Sequence, residues 1–228
     1  MEARVVVITG AFGVLGRALV DAALAANYRV VAIDFNIDTP IDFPKQAFVI
    51  GGVDLSNPDA AATAIAEAAE HWGQLDVLLN VAGGFTWQTV EAGDAATWDR
   101  LHRMNVMTTL NSSRAALPFL GKSPAGRIIN VGANAAVHAN AGMGAYAASK
   151  AGVHRLTESL AAELKGRRIT VNAVLPSIID TPANRRDMPD ADFAAWVPPA
   201  SLAAVMIFLA SPEAQAVTGA LIPVSGGL

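Results

Sequence analysis

The chain has no cysteine. That excludes a disulfide framework, a thiolate nucleophile and a thiolate metal site, and it fits a reducing, cytoplasmic setting. No run of Lys or Arg occurs anywhere and the formal net charge is -4, so the sequence offers no electrostatic grip on a phosphate backbone and nucleic acid is not an expected partner. No apolar stretch reaches spanning length without Asp, Asn, Arg or Pro, so a membrane is not expected either. The opening apolar run, Val5 to Ile8, is too brief for the core of a signal peptide. The four histidines, His71, His102, His138 and His154, lack H-x-x-x-H or H-E-x-x-H spacing; no metal site is expected, and each reads as helix surface or loop. Charge is also scarce: 16% of residues are charged against 53% hydrophobic. A chain of 228 residues with that balance buries one large core and is not disordered.

What is present is an alternation of two periods. Short β-branched runs at Val5-Ile8, Val30-Ile33, Phe48-Ile50, Val77-Leu79, Ile128-Val131, Val171-Val174 and Leu221-Val224 predict strands. Between them, Ala-rich segments of helical period predict helices near Leu15-Ala26, Asp59-Trp72, Ala96-Leu120, Tyr146-Lys165 and Ser201-Ser211. Apolar strands alternating with helices imply an α/β fold of Rossmann type, a doubly wound parallel sheet with helices on both faces. No linker or composition break divides the chain, so residues 1–228 read as a single domain. One long loop follows Pro176, rich in proline and carrying Arg185 and Arg186, and its stretch 181–199 reads as a lid over a binding site.

Two elements carry chemistry. The segment T-G-A-F-G-V-L-G, Thr9 to Gly16, follows the first strand and opens a helix. Gly10, Gly13 and Gly16 permit a tight turn and let backbone approach a pyrophosphate at the helix N-terminus. At the end of the second strand, Asp34 stands near the distance of about 20 residues at which an acidic side chain meets the ribose hydroxyls. Its charge would repel a 2′-phosphate and no Arg or Lys follows closely. The expected cofactor is therefore NAD(H) in preference to NADP(H). Much later, G-M-G-A-Y-A-A-S-K places Lys150 four residues after Tyr146. One helical turn apart on one face, the ammonium is expected to lower the phenol pKa from about 10 toward working pH and make Tyr146 a general acid/base.

Together these elements resemble the short-chain dehydrogenase/reductase family, from about Val5 to Gly227. The resemblance implies an NAD-dependent oxidoreductase that transfers hydride between the nicotinamide and a small organic substrate. It implies that Gly10, Phe12, Gly13, Val14, Leu15, Gly16 and Asp34 bind the cofactor, with Asp54 and Leu55 at the adenine and Ala82 and Gly83 in the family's N-N-A-G motif, here Asn80-Val81-Ala82-Gly83. Asn80 itself reads as a tie between strands. In Pro176-Ser177-Ile178-Ile179-Asp180-Thr181, the resemblance makes Pro176, Ile179 and Thr181 nicotinamide-side contacts, with Tyr146 and Lys150 touching the cofactor as well. The glycine spacing is G-x-x-G-x-x-G, with Val14 where many members have the middle glycine. The helices near Ala96-Leu120 and Tyr146-Lys165 resemble the pair that joins family homodimers and homotetramers.

The family's usual tetrad is Asn, Ser, Tyr and Lys. Asn105, Tyr146 and Lys150 match as catalytic residues, but the serine position, thirteen residues before the tyrosine, is Ala133. Losing such a donor can slow reaction by roughly two to three powers of ten. Either Asn134 or a lid residue replaces the serine, or the substrate is easily reduced, or the protein binds a dinucleotide without turnover; retention of the other three members argues against the last. Gly83-Gly84, Gly132-Ala136, Gly142-Tyr146 and the 17 residues Asp180-Trp196 look like dihydropteridine reductases. Those are short family members that lack the serine, prefer NADH and reduce a quinonoid pterin, which regains partial aromaticity on accepting hydride. Asn105 instead follows the general family pattern, which leaves a carbonyl reductase or alcohol dehydrogenase as the alternative. Phe85, Trp87 and Trp196 are candidate walls for a flat substrate, and Lys150 with Asn105 is expected to link Tyr146 to solvent protons through water.

Overall fold

The computed structural model describes residues 3–226; Met1, Glu2, Gly227 and Leu228 lie outside the described residues. Seven strands form one parallel sheet: β1 (Val5–Thr9), β2 (Arg29–Ile33), β3 (Phe48–Ile50), β4 (Val77–Asn80), β5 (Gly126–Val131), β6 (Ile169–Pro176) and β7 (Leu221–Val224), in the order β3-β2-β1-β4-β5-β6-β7. Every expected strand is present, most of them longer by a residue or more. Strand residues alternate between two cores. Val6, Ile8, Leu79 and Ile129 pack with α1 (Val14–Ala25) and α7 (Pro199–Ala210). Val5, Val7, Leu78 and Ile128 pack with α2 (Pro58–Trp72), α4 (Thr108–Leu120) and α5 (Gly144–Glu163). Burial on both faces removes any polar alternation, which is why these strands read as continuous apolar runs.

The order reverses between β1 and β4, so the connections leaving those two strands turn to opposite faces and open a crevice at their carboxyl ends. Each functional segment named above leaves a strand at that end or lies on the helix that follows.

The segment expected as one helix near Ala96-Leu120 is interrupted. α3 (Ala95–His102) passes through a π-helical turn, Arg103–Met107, into α4. Such turns insert one residue into the helical ladder and rotate side chains out of register. Thr108 Oγ1 donates to the Met104 carbonyl (2.6 Å) and Thr109 Oγ1 to the Asn105 carbonyl (2.8 Å), satisfying backbone acceptors at the widened turn. Asn105 lies in it, fully buried.

The stretch 181–199 also differs from the loop expected. It contains α6 (Pro182–Asp187) and a 3₁₀ turn, Phe193–Ala195. Thr181 caps α6 by accepting from Asn184 N, and Asn184 Nδ2 donates to the Ile179 carbonyl. Arg185 donates twice to Asp180 (2.6 and 2.7 Å) and lies 4.8 Å from the Phe193 ring centroid. Four prolines signal a loop by composition, but Pro182 stands at the first turn of a helix, where its missing N–H costs nothing.

A buried polar row ties α5 to the centre of the sheet. Asn80 Nδ2 donates to Asn130 Oδ1 (2.8 Å), Asn130 Nδ2 to Thr157 Oγ1 (2.9 Å), and Thr157 Oγ1 to the Val153 carbonyl (2.8 Å). Asn80 is the strand tie expected of it. Thr157→Val keeps the shape and strands the Asn130 amide, so it should cost about 1–3 kcal/mol in a urea melt; an unchanged midpoint would show that the row does not hold the helix.

Candidate active site

The glycine loop is shaped by close backbone approach. Gly10 has φ +63°, and a Cβ there would stand 2.9 Å from the Ala82 backbone. At Gly16 a Cβ would collide with the Gly10 carbonyl and Ala11. Thr9 Oγ1 accepts from Val81 N and Ala82 N, joining the ends of β1 and β4 beneath the loop. α1 then starts at Gly13 with no side-chain cap and no acidic residue in its first turn. Its N-terminal N–H groups and the positive end of its dipole are therefore left for an anion, which fits the pyrophosphate of a dinucleotide.

Asp34 is buried and braces this cradle: Oδ2 accepts from Phe12 N and Oδ1 from Asn36 N, both at 2.9 Å. Beside it Phe35 is exposed. Arg17, in the first turns of α1, is turned away onto Asp21, Asp42 and the Phe43 ring. Leu55 is buried and its carbonyl accepts from Asn111 Nδ2, which also bonds the Ser56 carbonyl; Asp54 Oδ1 accepts from Ser56 N. Val14 is partly exposed at the start of α1, while Leu15 packs into the core.

Asn105 and Lys150 meet at Gly83, and Tyr146 stands one turn before Lys150 on α5. A Cβ on Gly83 would lie 2.5 Å from Asn105 Oδ1 and 3.4 Å from Lys150 Nζ. Asn105 itself is enclosed by partners: Oδ1 accepts from Gly84 N (2.9 Å), and Nδ2 donates to the Gly84 carbonyl (3.1 Å) and Ser149 Oγ (2.9 Å). Ser149 in turn donates to the Tyr146 carbonyl (2.7 Å). The asparagine thus fixes the start of α5 and the Gly83-Gly84 segment.

The electrostatics reverse one expectation. Burial pushes the Tyr146 phenol up, to about 12, instead of down. Lys150 Nζ donates to the Val131 carbonyl (2.8 Å), and burial lowers the ammonium to about 8. Desolvation penalises the charged form of both groups, and the lysine is aimed at a carbonyl and not at the phenol. At neutral pH Tyr146 carries its proton. Phe85 meets its ring edge to face at 5.0 Å between centroids.

Of the proposed aromatic walls, Phe85 and Trp87 are 52% and 59% exposed. Trp87 rests on Gly142, where a Cβ would collide with its ring, and Nε1 donates to the Ala141 carbonyl. Trp98, which carries no motif, lies against Gly144 in the same way, 3.5 Å from its Cβ position. Trp196 is buried and packs on Phe193 at the base of the lid, so it is no wall. His154 also departs from expectation, being buried with Nε2 accepting from Ala133 N (3.3 Å). Thr9, Asn111, Ser149 and His154 escape a sequence reading because each acts through a partner distant in the chain, although Thr9 and Ser149 sit inside the two motifs. Among the described residues no group of three or more His, Cys, Asp or Glu could hold a metal ion, and no helix is long and apolar enough to cross a membrane.

A glycine cradle at a strand-order switch beside a half-buried Tyr and a buried Lys and Asn defines a dinucleotide-binding oxidoreductase. The short chain dehydrogenase family matches residues 4–192, and the chain belongs to it; such proteins bind a nicotinamide dinucleotide. It is 30% identical to 3-oxoacyl-(acyl-carrier-protein) reductase FabG of Thermotoga maritima, over all of this chain and 98% of that protein. It is also 30% identical to 2-(S)-hydroxypropyl-CoM dehydrogenase 3 of Xanthobacter autotrophicus, over all of this chain and 97% of that one. The aldohexose dehydrogenase of Thermoplasma acidophilum superposes with a TM-score of 0.89 at 26% identity, covering 100% of this chain and 94% of that one. A 3-ketoacyl-(acyl-carrier-protein) reductase from Brucella melitensis, complexed with NADH, gives 0.87 at 26% identity, covering 99% and 98%.

Lys150 supplies a test of this electrostatic reading. Its pKa of about 8 lies below the ordinary 10.5, so below pH 8 both states carry the proton and the fold bears the full cost of burying the charge. Between about 8 and 10.5 only the unfolded state holds it, and stability rises with pH. Lys150→Met should therefore gain about 1–3 kcal/mol at pH 7, with the gain shrinking toward pH 10. A destabilised variant at pH 7 would show that the Val131 hydrogen bond outweighs the buried charge.

Proposed function

We propose that this chain is an NADH-dependent reductase of a planar, easily reduced acceptor, with a quinonoid dihydropterin-like compound as the leading candidate. The observation that carries the reading is Ala133. The family's serine is absent, and the backbone N–H at that position is bonded to His154, so the position offers a substrate oxygen no donor. An acceptor that gains aromaticity on reduction needs less electrophilic help than a ketone.

A nicotinamide dinucleotide held by the glycine cradle and Lys150 would supply the hydride. Tyr146, protonated at neutral pH, gives the acceptor its proton, so one hydride and one proton are transferred in each turnover. Lys150, one turn beyond Tyr146 on α5 and close to Gly83, orients the ribose side of the cofactor and can restore the phenol's proton. Phe85, half exposed and edge to face with the phenol ring, is suited to stacking a flat acceptor. The resemblance of Asp180-Trp196 to dihydropteridine reductases supports the same class.

Preference for NADH is supported by Asp34 at the end of β2, by Phe35 following it and by Arg17 being engaged elsewhere. NADH should bind at least about tenfold more tightly than NADPH, a gap of about 1.4 kcal/mol. Equal dissociation constants by fluorescence titration would refute that preference.

The acceptor is tested by following NADH oxidation with a quinonoid dihydropterin beside a panel of ketones, aldehydes and quinones. The pterin should be the fastest, and Tyr146→Phe should lose at least about 100-fold in turnover with NADH binding intact. Faster turnover of carbonyls would instead place the chain with the 3-oxoacyl reductases and dehydrogenases it is similar to, which Asn105 also favours, and would mean that the site supplies the full electrophilic help of the missing serine from Asn134 or a residue of 181–199.

A further inference from the structure

The buried His154 has no part in the hydride or proton transfer proposed above, yet it touches Ala133, the position where the family's catalytic serine is missing. It is 2% exposed on α5, one turn beyond Lys150 and two beyond Tyr146. Its Nε2 accepts the Ala133 N–H, and its ring edge lies so close to Gly132 that any Cβ there would collide with Nε2. Gly132 N donates to the Val174 carbonyl (2.9 Å), so the turn leaving β5 is clamped between β6 on one side and the imidazole on the other. The next residue, Asn134, opens a 3₁₀ turn, Asn134–Ala136, that packs on α5; its side chain is exposed and makes no hydrogen bond among the described residues.

We propose that His154 is a positioning residue: it holds the Gly132-Ala133 turn so that the free amide of Asn134 is presented to the acceptor beside Tyr146. The inference rests on the hydride-transfer reading above. Two roles meet in one hydrogen bond. Accepting the Ala133 N–H turns that donor inward and removes it as an electrophile. It also fixes the backbone from which the neighbouring donor projects. An imidazole does this only when neutral, and burial, aided by Arg155 and Lys150, lowers its pKa to about 4. The tautomer is then set with the proton on Nδ1. A rigid turn matters because misplacement of a donor by about 1 Å can cost on the order of 100-fold in rate.

The test compares wild type with His154→Phe, which fills the space without an acceptor, and His154→Gln, which keeps one. For the acceptor that wild type reduces fastest, the Phe variant should lose about tenfold in kcat while the NADH dissociation constant stays within about twofold, and Gln should restore kcat to within about threefold. Undiminished kcat in the Phe variant overturns the proposal. So does an equal loss in both variants accompanied by weaker NADH binding and a lower melting temperature, which would mean a purely structural histidine. Should wild type reduce no acceptor at all, the hydride-transfer reading fails on its own. Exchange of the Ala133 amide hydrogen then decides the clamp: faster by about tenfold in Phe and protected in Gln upholds it, and equal exchange in all three ends it.

Discussion

The site depends on a set of side-chain hydrogen bonds that pin one helix to one strand. Lys150 reaches the Val131 carbonyl, His154 receives the Ala133 N–H and Thr157 receives the Asn130 amide. Three turns of α5 are thereby keyed to β5 and the turn leaving it. Apolar packing alone would hold the helix against the sheet but would tolerate sliding along it, because dispersion contacts carry little direction. Directional bonds between buried polar groups do not tolerate it, since each slip strands a donor or acceptor where water cannot replace it. The phenol, the ammonium and the turn at Ala133 therefore keep one mutual arrangement, and the glycine cradle across the β1–β4 switch is oriented against the same sheet.

The second anchor is Asn105. A π-helical turn brings its whole side chain inward, where it closes on Gly84 and Ser149. This arrangement couples three segments: the helix run 95–120, the stretch after β4 and the start of α5. It also explains two glycines. Gly83 leaves room for Asn105 Oδ1, and Gly84 for the Met104 side chain. A residue that resembles a catalytic group by motif thus acts here through geometry, setting the backbone against which Tyr146 and Lys150 are placed.

Strands, helices and the glycine cradle were legible because they follow from local pattern. Both faces of the sheet are buried, so its strands appear as apolar runs, and three glycines at this spacing between a strand and a helix meet a need that few structures besides a phosphate cradle impose. That Tyr146 and Lys150 stand one turn apart on a single helix was legible from their spacing. Tertiary environment was not. The direction of the Tyr146 shift depends on burial and on Lys150 being aimed at Val131, neither of which sequence spacing encodes. The interruption at Arg103–Met107 leaves no proline or glycine as a marker, and the threonines that support it are ordinary helix residues by composition. His154 looks like any histidine in a helix until the fold brings Gly132 against it. The lid misled in the other direction: prolines that suggest a loop serve as first-turn residues, and Trp196, plausible as an exposed wall, is buried beneath it.

Burial of the Tyr–Lys pair and absence of the serine bear on the same question, the direction in which the site works best. A phenol held in its protonated form is ready to give a proton, and would have to lose one at considerable cost before it could take one from an alcohol. A serine hydroxyl assists when charge builds on a substrate oxygen, and a site without it is matched to an acceptor in which that charge is small or delocalised. Both features are ones that the proposed reduction of an easily reduced acceptor would use. The same desolvation that raises the phenol's pKa also makes the ammonium easier to discharge, so both groups are tuned by one physical cause.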